Sequence, residues 1–322
     1  MLTTYVRKIL LIGRRSYAIT LPKEWVVRSG LKEGSPLAIH MLSDGSLKIT
    51  MLREAAKPRE EGESFTLVLK RGEELGIERL LVALYSAGYD RVRIVQRPVL
   101  SGKTRSLVQK TLRKLSGFEV TEEAADYILL QSIIDAGSLP LERTVERMEV
   151  LVRSMLSDLA RAGELEFKEV LQLVIERDDE LDKFYFLLSR QLSILLMRPE
   201  LAEKMGVANP VLALPLKSYG KVLEEMGDVL VSLSRWLLQR GERLEKPYCE
   251  ILREAFTNAV KAFKLGDDRA GKLVTSRYVD YFSKSIAGDF VYLLVGRFLA
   301  LCVAAVEAGV DKKALEQVLA RR

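Results

Sequence analysis

The most informative segment of the chain reads Gly13-Arg14-Arg15-Ser16-Tyr17-Ala18-Ile19-Thr20-Leu21-Pro22-Lys23-Glu24-Trp25. The glycine followed by two arginines predicts a tight turn, and the alternating apolar residues after it predict a short strand. Pro22 then indicates the start of a helix, because the first helical turn leaves its N–H groups unbonded and proline has none. Gly30 is suited to end this helix, since glycine readily adopts the left-handed conformation.

A β-hairpin is predicted directly downstream. Two apolar stretches, Leu37 to Leu42 and Leu47 to Leu52, flank the dipeptide Asp44-Gly45, which favours a tight turn between antiparallel strands. A module of about 50 residues can bury only a marginal core by itself. We therefore expect two copies of it to associate.

Residues 3–52 resemble the AbrB/MazE/SpoVT family of swapped-hairpin domains. The resemblance rests on Gly13-Arg14, on the run Ile19-Thr20-Leu21-Pro22-Lys23 with Trp25, and on the later Gly34 and Asp44-Gly45. It implies an obligate homodimer with interlocked hairpins, formed by a domain at residues 1–53. Many members of this family bind DNA through arginines on the strand and loop before the helix. Others serve as antitoxins or only as dimerisation modules.

The basic charge of the chain is concentrated in the same region. Residues 1–60 hold 11 Lys and Arg against 5 Asp and Glu, whereas the rest of the chain holds 39 of each. A local basic surplus indicates a polyanionic partner, here DNA. The candidate DNA-binding residues are Arg7, Lys8, Arg14, Arg15 and Lys23. In the alternative interpretation, the two adjacent arginines pair with Glu24 or Glu33 across the dimer.

The pattern of apolar residues changes after a charged linker at residues 53–64. It predicts strands over Phe65–Leu69, Arg91–Val95, Phe118–Val120 and Tyr127–Leu130, and helices over Glu73–Ala87 and Thr104–Ser116. This βαβαββ order predicts a small α/β domain over residues 64–136.

From Pro140 onward the sequence is helical. Six helices are predicted over Leu141–Ala162, Phe167–Met197, Leu216–Gln239, Tyr248–Lys264, Asp268–Ser283 and Ser285–Ala308, with a further turn at Lys312–Leu319. Long helices with short loops indicate two successive three-helix bundles over residues 140–320. The predicted fold class is therefore multidomain α+β: a swapped-hairpin β domain, a small α/β domain and an all-α domain.

Two acidic pairs with four-residue spacing lie in the helical region: Asp178 with Asp182, and Glu224 with Asp228. Residues at this spacing share a helix face. Antiparallel helices with such pairs could hold a hard cation, because carboxylate oxygens suit Mg²⁺, Ca²⁺, Mn²⁺ or iron. The alternative is a solvated acidic face whose charges pair with neighbours such as Arg177 or Lys183.

Residues 140–310 resemble the PhoU family, which folds as two three-helix bundles. The stretches Asp178-Asp179-Glu180-Leu181-Asp182 and Glu224-Glu225-Met226-Gly227-Asp228 match its E(D)xxxD motif, which binds multinuclear metal clusters in some members. The resemblance thus implies a divalent metal or iron in the first bundle. The second bundle departs from the motif at Ser276-Arg277-Tyr278-Val279-Asp280 and has no acids at Gly296–Leu301, so no second cluster is expected there.

An AbrB-like module joined to a PhoU-like bundle resembles the phosphate-uptake regulators of archaea. The combination implies a homodimeric transcriptional regulator that binds DNA through its N-terminal domain and senses state through the bundles. The alternative is an adaptor that does not bind DNA, dimerises through the N-terminal domain and restrains a phosphate transporter ATPase.

Enzymatic function is not expected. A metal-dependent hydrolase is the third interpretation, but the chain has one histidine, His40, and no recognisable nucleophile. Its two cysteines form no disulfide or metal-binding pattern, which together with the lack of a signal peptide indicates the cytoplasm. The apolar run Phe290–Val306 contains Arg297 and is short for a membrane span, so we expect a fully buried bundle helix.

Overall fold

The computed structural model describes residues 4–41, 45–51, 63–70, 72, 74–162, 167–283 and 290–321. Contacts divide the chain into two compact units, residues 1–60 and 61–322. Several residues that bound predicted elements lie outside the described ranges, namely Leu42, Asp44, Leu52, the linker at residues 53–62, Glu73 and Ser285.

The first unit consists of two β-hairpins and one short helix. Its elements are β1 (Leu10–Ile12), β2 (Ser16–Ala18), α1 (Lys23–Arg28), β3 (Leu37–Met41) and β4 (Leu47–Met51). β1 pairs antiparallel with β2, and β3 pairs antiparallel with β4. The two arginines of the Gly13 turn lie between β1 and β2, as predicted.

The end of α1 follows from the glycine after it. Gly30 has a φ of 66°, which glycine adopts without strain. The Leu31 N–H donates to the Val26 carbonyl, and the Gly30 N–H donates to the Val27 carbonyl, both at 3.0 Å. These two bonds satisfy carbonyls that the last helical turn would otherwise leave unpaired.

The second unit begins with a four-stranded sheet covered by two helices. Its strands are β5 (Ser64–Leu69), β6 (Arg91–Gln96), β7 (Phe118–Glu123) and β8 (Tyr127–Ser132), and its helices are α2 (Ile77–Ser86) and α3 (Gly102–Leu112). The strand order is β5-β6-β8-β7, with β5 parallel to β6 and the other pairs antiparallel. Leu81 and Tyr85 of α2 pack with Ile94 and Phe118 of the sheet in one apolar core.

The rest of the second unit is helical. Its helices are α4 (Leu141–Arg161), α5 (Phe167–Met197), α6 (Ala213–Arg240), α7 (Lys246–Leu265), α8 (Asp268–Ser283) and α9 (Phe290–Ala320). α4, α5 and α6 pack on one another, α7, α8 and α9 do the same, and α6 also contacts α9. The two bundles share one continuous apolar core.

The predicted end of the last helix at Ala308 is wrong, because α9 continues to Ala320. Gly309 lies inside this helix, where the sequence alone suggests an end. A Cβ atom at Gly309 would lie 2.8 Å from Cα of Phe263 in α7. The glycine therefore serves close packing between two helices and does not end α9.

Among the described residues, α9 is the one helix that is long and apolar enough to cross a bilayer by length and composition alone. It packs against α6, α7 and α8. Val295, Phe298, Leu299 and Cys302 are completely buried within the bundles. Leu293 of the same helix is 58% exposed, so α9 is a bundle helix that is buried in part and not throughout.

A buried arginine of α5 fixes the sheet domain to the first bundle. The Arg190 guanidinium donates to the carbonyls of Tyr85 and Tyr89, at 2.9 and 2.7 Å, and to Asp90 at 2.7 Å. The Tyr85 carbonyl lies at the carbonyl end of α2, where the helix dipole favours a cation. The α/β layer is therefore attached to the same helix that carries Asp178 and Asp182.

Candidate functional site

The two acidic pairs lie on neighbouring helices that pack tightly. Asp178 and Asp182 are on α5, and Glu224 and Asp228 are on α6. Gly227 makes the close approach possible, since a Cβ atom there would lie 2.5 Å from Leu181 Cδ2 and 2.8 Å from Asp178 Oδ1.

Asp178 is the most perturbed carboxylate of the group. Its Oδ1 atom is buried and has no hydrogen-bond partner among the described residues. Burial, together with the negative charges of Asp182 and Asp228, raises the pKa of Asp178 to about 7. Burial likewise raises the pKa of Glu224, against the opposing effect of Lys221. A shared negative field therefore acts on both helices.

Two lysines partly neutralise this field. The ammonium group of Lys114, which follows α3, lies 2.9 Å from Asp179 and 3.0 Å from Asp182. Burial alone would lower the pKa of Lys114, but its hydrogen bonds to these two carboxylates outweigh that effect and raise it. Lys221 of α6 pairs with Glu224 three residues later.

The pairing partners differ from those that the sequence suggested for a solvated acidic face. Arg177 pairs with Asp158 of α4 and is not a partner of the acidic pairs. The structure shows that Lys114 comes instead from the α/β layer, 68 residues away from Asp182. Asp182 is therefore part of the contact between the α/β layer and the bundle.

The carboxylate oxygens of the two acidic pairs are partly suited to bind a hard cation. Carboxylate oxygens are the ligands that such cations prefer, and the unpaired Oδ1 of Asp178 is an atom that a cation would satisfy. Within the described ranges, however, no group of three or more His, Cys, Asp or Glu side chains is arranged to hold a metal ion. A cation at this place would compete with Lys114 and Lys221 for the same oxygens.

The corresponding contact in the second bundle is aromatic. Tyr281 of α8 stacks on Tyr292 of α9, with ring centroids 4.5 Å apart. Phe282 lies against Gly296, where a Cβ atom would be 2.5 Å from the ring. Packed rings occupy the helix contact that in the first bundle carries the acidic pairs.

The predicted DNA-binding residues are all exposed on the first unit. Lys8 precedes β1, Arg14 and Arg15 lie in the β1–β2 turn, and Lys23 opens α1. Their side chains form no hydrogen bond or ion pair with other described residues. Arg7 donates to the neighbouring Val6 carbonyl and lies over the Tyr5 ring. Glu24, the carboxylate considered as a partner for the two arginines, accepts a hydrogen bond from Tyr5.

The first unit also exposes its apolar residues. Not one of its described residues is buried in the single chain. Val6 is 87% exposed, Tyr17 73% and Met41 86%. An exposed apolar surface of this extent is unusual on so small a unit.

Sequence reasoning missed two residues that organise the site. Lys114 carries no sequence signal, because its acidic partners lie far along the chain. Arg190 does carry a signal, since it is a lone cation inside the apolar stretch Phe184–Leu195. A charge in such a stretch is rarely buried unless it is paired.

Comparisons with known proteins support both resemblances. Residues 10–61 match the family model described as "Antidote-toxin recognition MazE, bacterial antitoxin". Residues 145–237, which run from α4 into α6, match the PhoU domain. No curated protein and no solved structure gave a significant match. The chain therefore joins a MazE/AbrB-like N-terminal domain to a C-terminal PhoU domain, in a multidomain α+β fold.

Proposed function

We propose that this protein is a cytoplasmic, homodimeric transcriptional regulator of phosphate uptake. The PhoU domain supports a phosphate-related regulatory role, and both matched families are non-enzymatic. We infer DNA binding from the exposed basic side chains of the first unit, which have no carboxylate partners among the described residues. A DNA phosphate backbone is the partner that such a surface fits.

The geometry of the β1–β2 turn supports specific contacts by the arginines. Arg14 and Arg15 project from a tight turn whose backbone is fixed by strand pairing on both sides. An arginine can donate two hydrogen bonds to the edge of a guanine. We assign base contact to Arg15 and phosphate contacts mainly to the other basic residues.

Salt dependence gives a quantitative test. If three of the five residues contact phosphate in each chain, a dimer makes about six contacts, and log K falls with log salt at a slope of roughly −5. Removing Arg15 should cost about 1–3 kcal/mol and blur sequence preference, whereas Lys8→Ala should weaken all duplexes alike.

The decisive experiment is fluorescence anisotropy with specific and random duplexes. Wild type and the Arg14→Ala/Arg15→Ala double variant are compared at several salt concentrations, with Lys272→Ala on α8 of the second unit as the control. The proposal requires weaker binding by the double variant and unchanged binding by the control. Equal binding by all three proteins, or no salt-sensitive binding by wild type, would favour an adaptor of the phosphate transporter ATPase.

Dimerisation through the first unit is the second part of the proposal. Association with an identical unit would cover the exposed apolar strands and supply the core that a single copy lacks. Light scattering should give twice the chain mass for the full protein and the mass of one truncated chain after deletion of residues 1–60. A mass of two truncated chains after the deletion would place the dimer contact elsewhere.

We further propose that Asp178, Asp182, Glu224 and Asp228 bind a divalent metal or iron in competition with Lys114 and Lys221. The bound cation would supply positive charge between α5 and α6. Metal analysis of untagged protein tests this, with Asp178→Asn and Asp228→Asn as site variants and Asp268→Asn on α8 as control. Equal metal content in all four proteins would show that the acidic pairs are not the site.

A further inference from the structure

A cleft of 660 Å³ lies between the α/β layer and the first bundle. It is bounded by α2, by the end of α3 and by α5. Six charged residues line it: Glu78, Arg79, Lys110, Arg113, Lys114 and Asp179. Four cations against two carboxylates give the lining a positive surplus. The volume falls in the range that small-molecule sites usually occupy.

The carboxylates of the cleft are already engaged. Lys110 pairs with Glu78 at 3.4 Å, and Lys114 pairs with Asp179 at 2.9 Å. Arg79 and Arg113 form no ion pair or hydrogen bond with any other described side chain. The positive surplus of the cleft lining therefore comes from two guanidinium groups that are free to bind an anion.

The position of Arg79 is not explained by helix stability. It lies in the first turn of α2, where the helix dipole favours an anion and opposes a cation. Lys110 and Arg113 lie at the carbonyl end of α3, where a cation offsets the negative end of the helix dipole. This explanation does not apply to a cation in the first turn of α2. An anion between the two arginines would satisfy Arg79 and would also lie near the α2 N-terminus.

We propose that this cleft binds a small phosphate-bearing molecule. Arginine binds phosphate with two parallel hydrogen bonds, and two arginines on neighbouring helices can bind the same phosphate group. Val82 and Phe186 provide an apolar part of the wall, which suits a ligand that carries a ring or carbon skeleton beside its phosphate.

The cleft is connected to the acidic pairs through one side chain. Lys114 lines the cleft and also contacts Asp182. An anion in the cleft would therefore compete with Asp179 and Asp182 for the same ammonium group. In this way ligand binding in the cleft would be transmitted from the α/β layer to α5.

Titration calorimetry of the full chain tests the inference directly. The probes are inorganic phosphate and AMP, with sulfate as a dianion lacking phosphate chemistry, in low salt with EDTA and without DNA. We expect wild type to bind AMP with a Kd below about 1 mM and more tightly than sulfate. Arg79→Ala/Arg113→Ala should weaken binding by about tenfold or more, because hydrogen bonds to charged groups are lost.

Lys103→Ala is the matched control, since Lys103 is an exposed cation of α3 that does not line the cleft. Its affinity should stay within about twofold of wild type. Both cleft arginines are exposed, so urea midpoints should agree among the three proteins. The inference is overturned by no binding of phosphate or AMP to wild type, by equal affinity in the double variant, or by sulfate binding as tightly as AMP. Because DNA is absent, none of these outcomes bears on DNA binding by the first unit.

Discussion

Replacing Asp178 with asparagine should stabilise the metal-free protein at neutral and alkaline pH. The carboxyl group is partly buried at the contact of α5 with α6, and Oδ1 lacks a partner among the described residues. Ionisation therefore places negative charge on a buried oxygen that has no hydrogen bond from a described residue to compensate it. Asparagine keeps the shape of the side chain but never acquires that charge.

The size of the expected stability gain follows from the pKa of Asp178. Burial, with the charges of Asp182 and Asp228, raises the pKa of Asp178 from 3.8 to about 7. At about 1.4 kcal/mol per pH unit the full effect would be roughly 4 kcal/mol. The side chain keeps some contact with solvent, and screening reduces the expected gain to about 1–2 kcal/mol.

The pKa of Asp178 also determines the direction in which the free energy of unfolding changes with pH. The folded state binds this proton more tightly than the unfolded state, so the stabilising contribution of Asp178 is complete below about pH 4. It is lost as the pH rises towards the folded-state value of about 7. The advantage of Asp178→Asn over wild type should thus grow with pH over this interval and level off above it.

Urea unfolding in EDTA, at a series of pH values from about 5 to 8.5, measures this difference. The control is Asp179→Asn, because the Asp179 side chain is 74% exposed and its pairing with Lys114 should contribute less than about 1 kcal/mol. A gain that is independent of pH, or a loss of stability at pH 8, would refute the electrostatic account of Asp178.

Further predictions concern packing and attachment. Gly227→Ala should destabilise the protein by about 1–3 kcal/mol in urea unfolding, because the new Cβ would collide with Leu181, whereas Gly102→Ala, which meets open space, should change stability by less than about 0.5 kcal/mol. A similar effect of both substitutions would contradict close packing at Gly227. Arg190→Met should cost about 2–4 kcal/mol, since it removes the donor to the Tyr89 carbonyl and leaves Asp90 without its partner. Hydrogen exchange should then show faster exchange in α2 than in α7, and unchanged exchange in α2 would mean that Arg190 does not hold the α/β layer.

Much of the fold could be predicted because its signals are local. The turn at Gly13, the helix start after Pro22 and the helix end at Gly30 depend on residues only a few positions apart. The same is true of the βαβαββ order and of most helix bounds in the bundles. These features follow from backbone conformation and apolar spacing, which the sequence shows directly.

What only the tertiary structure decided depends on residues far apart in the chain. Lys114 contacts Asp182 across 68 positions, and Arg190 contacts Asp90 across 100. The sequence placed the acidic pairs on helix faces, but burial and the approach of other charges set the pKa of Asp178. Gly309 likewise lies within a helix, at a point where α7 packs closely against it. Local propensity determines which elements form, whereas charge pairing and burial arise only when distant elements meet.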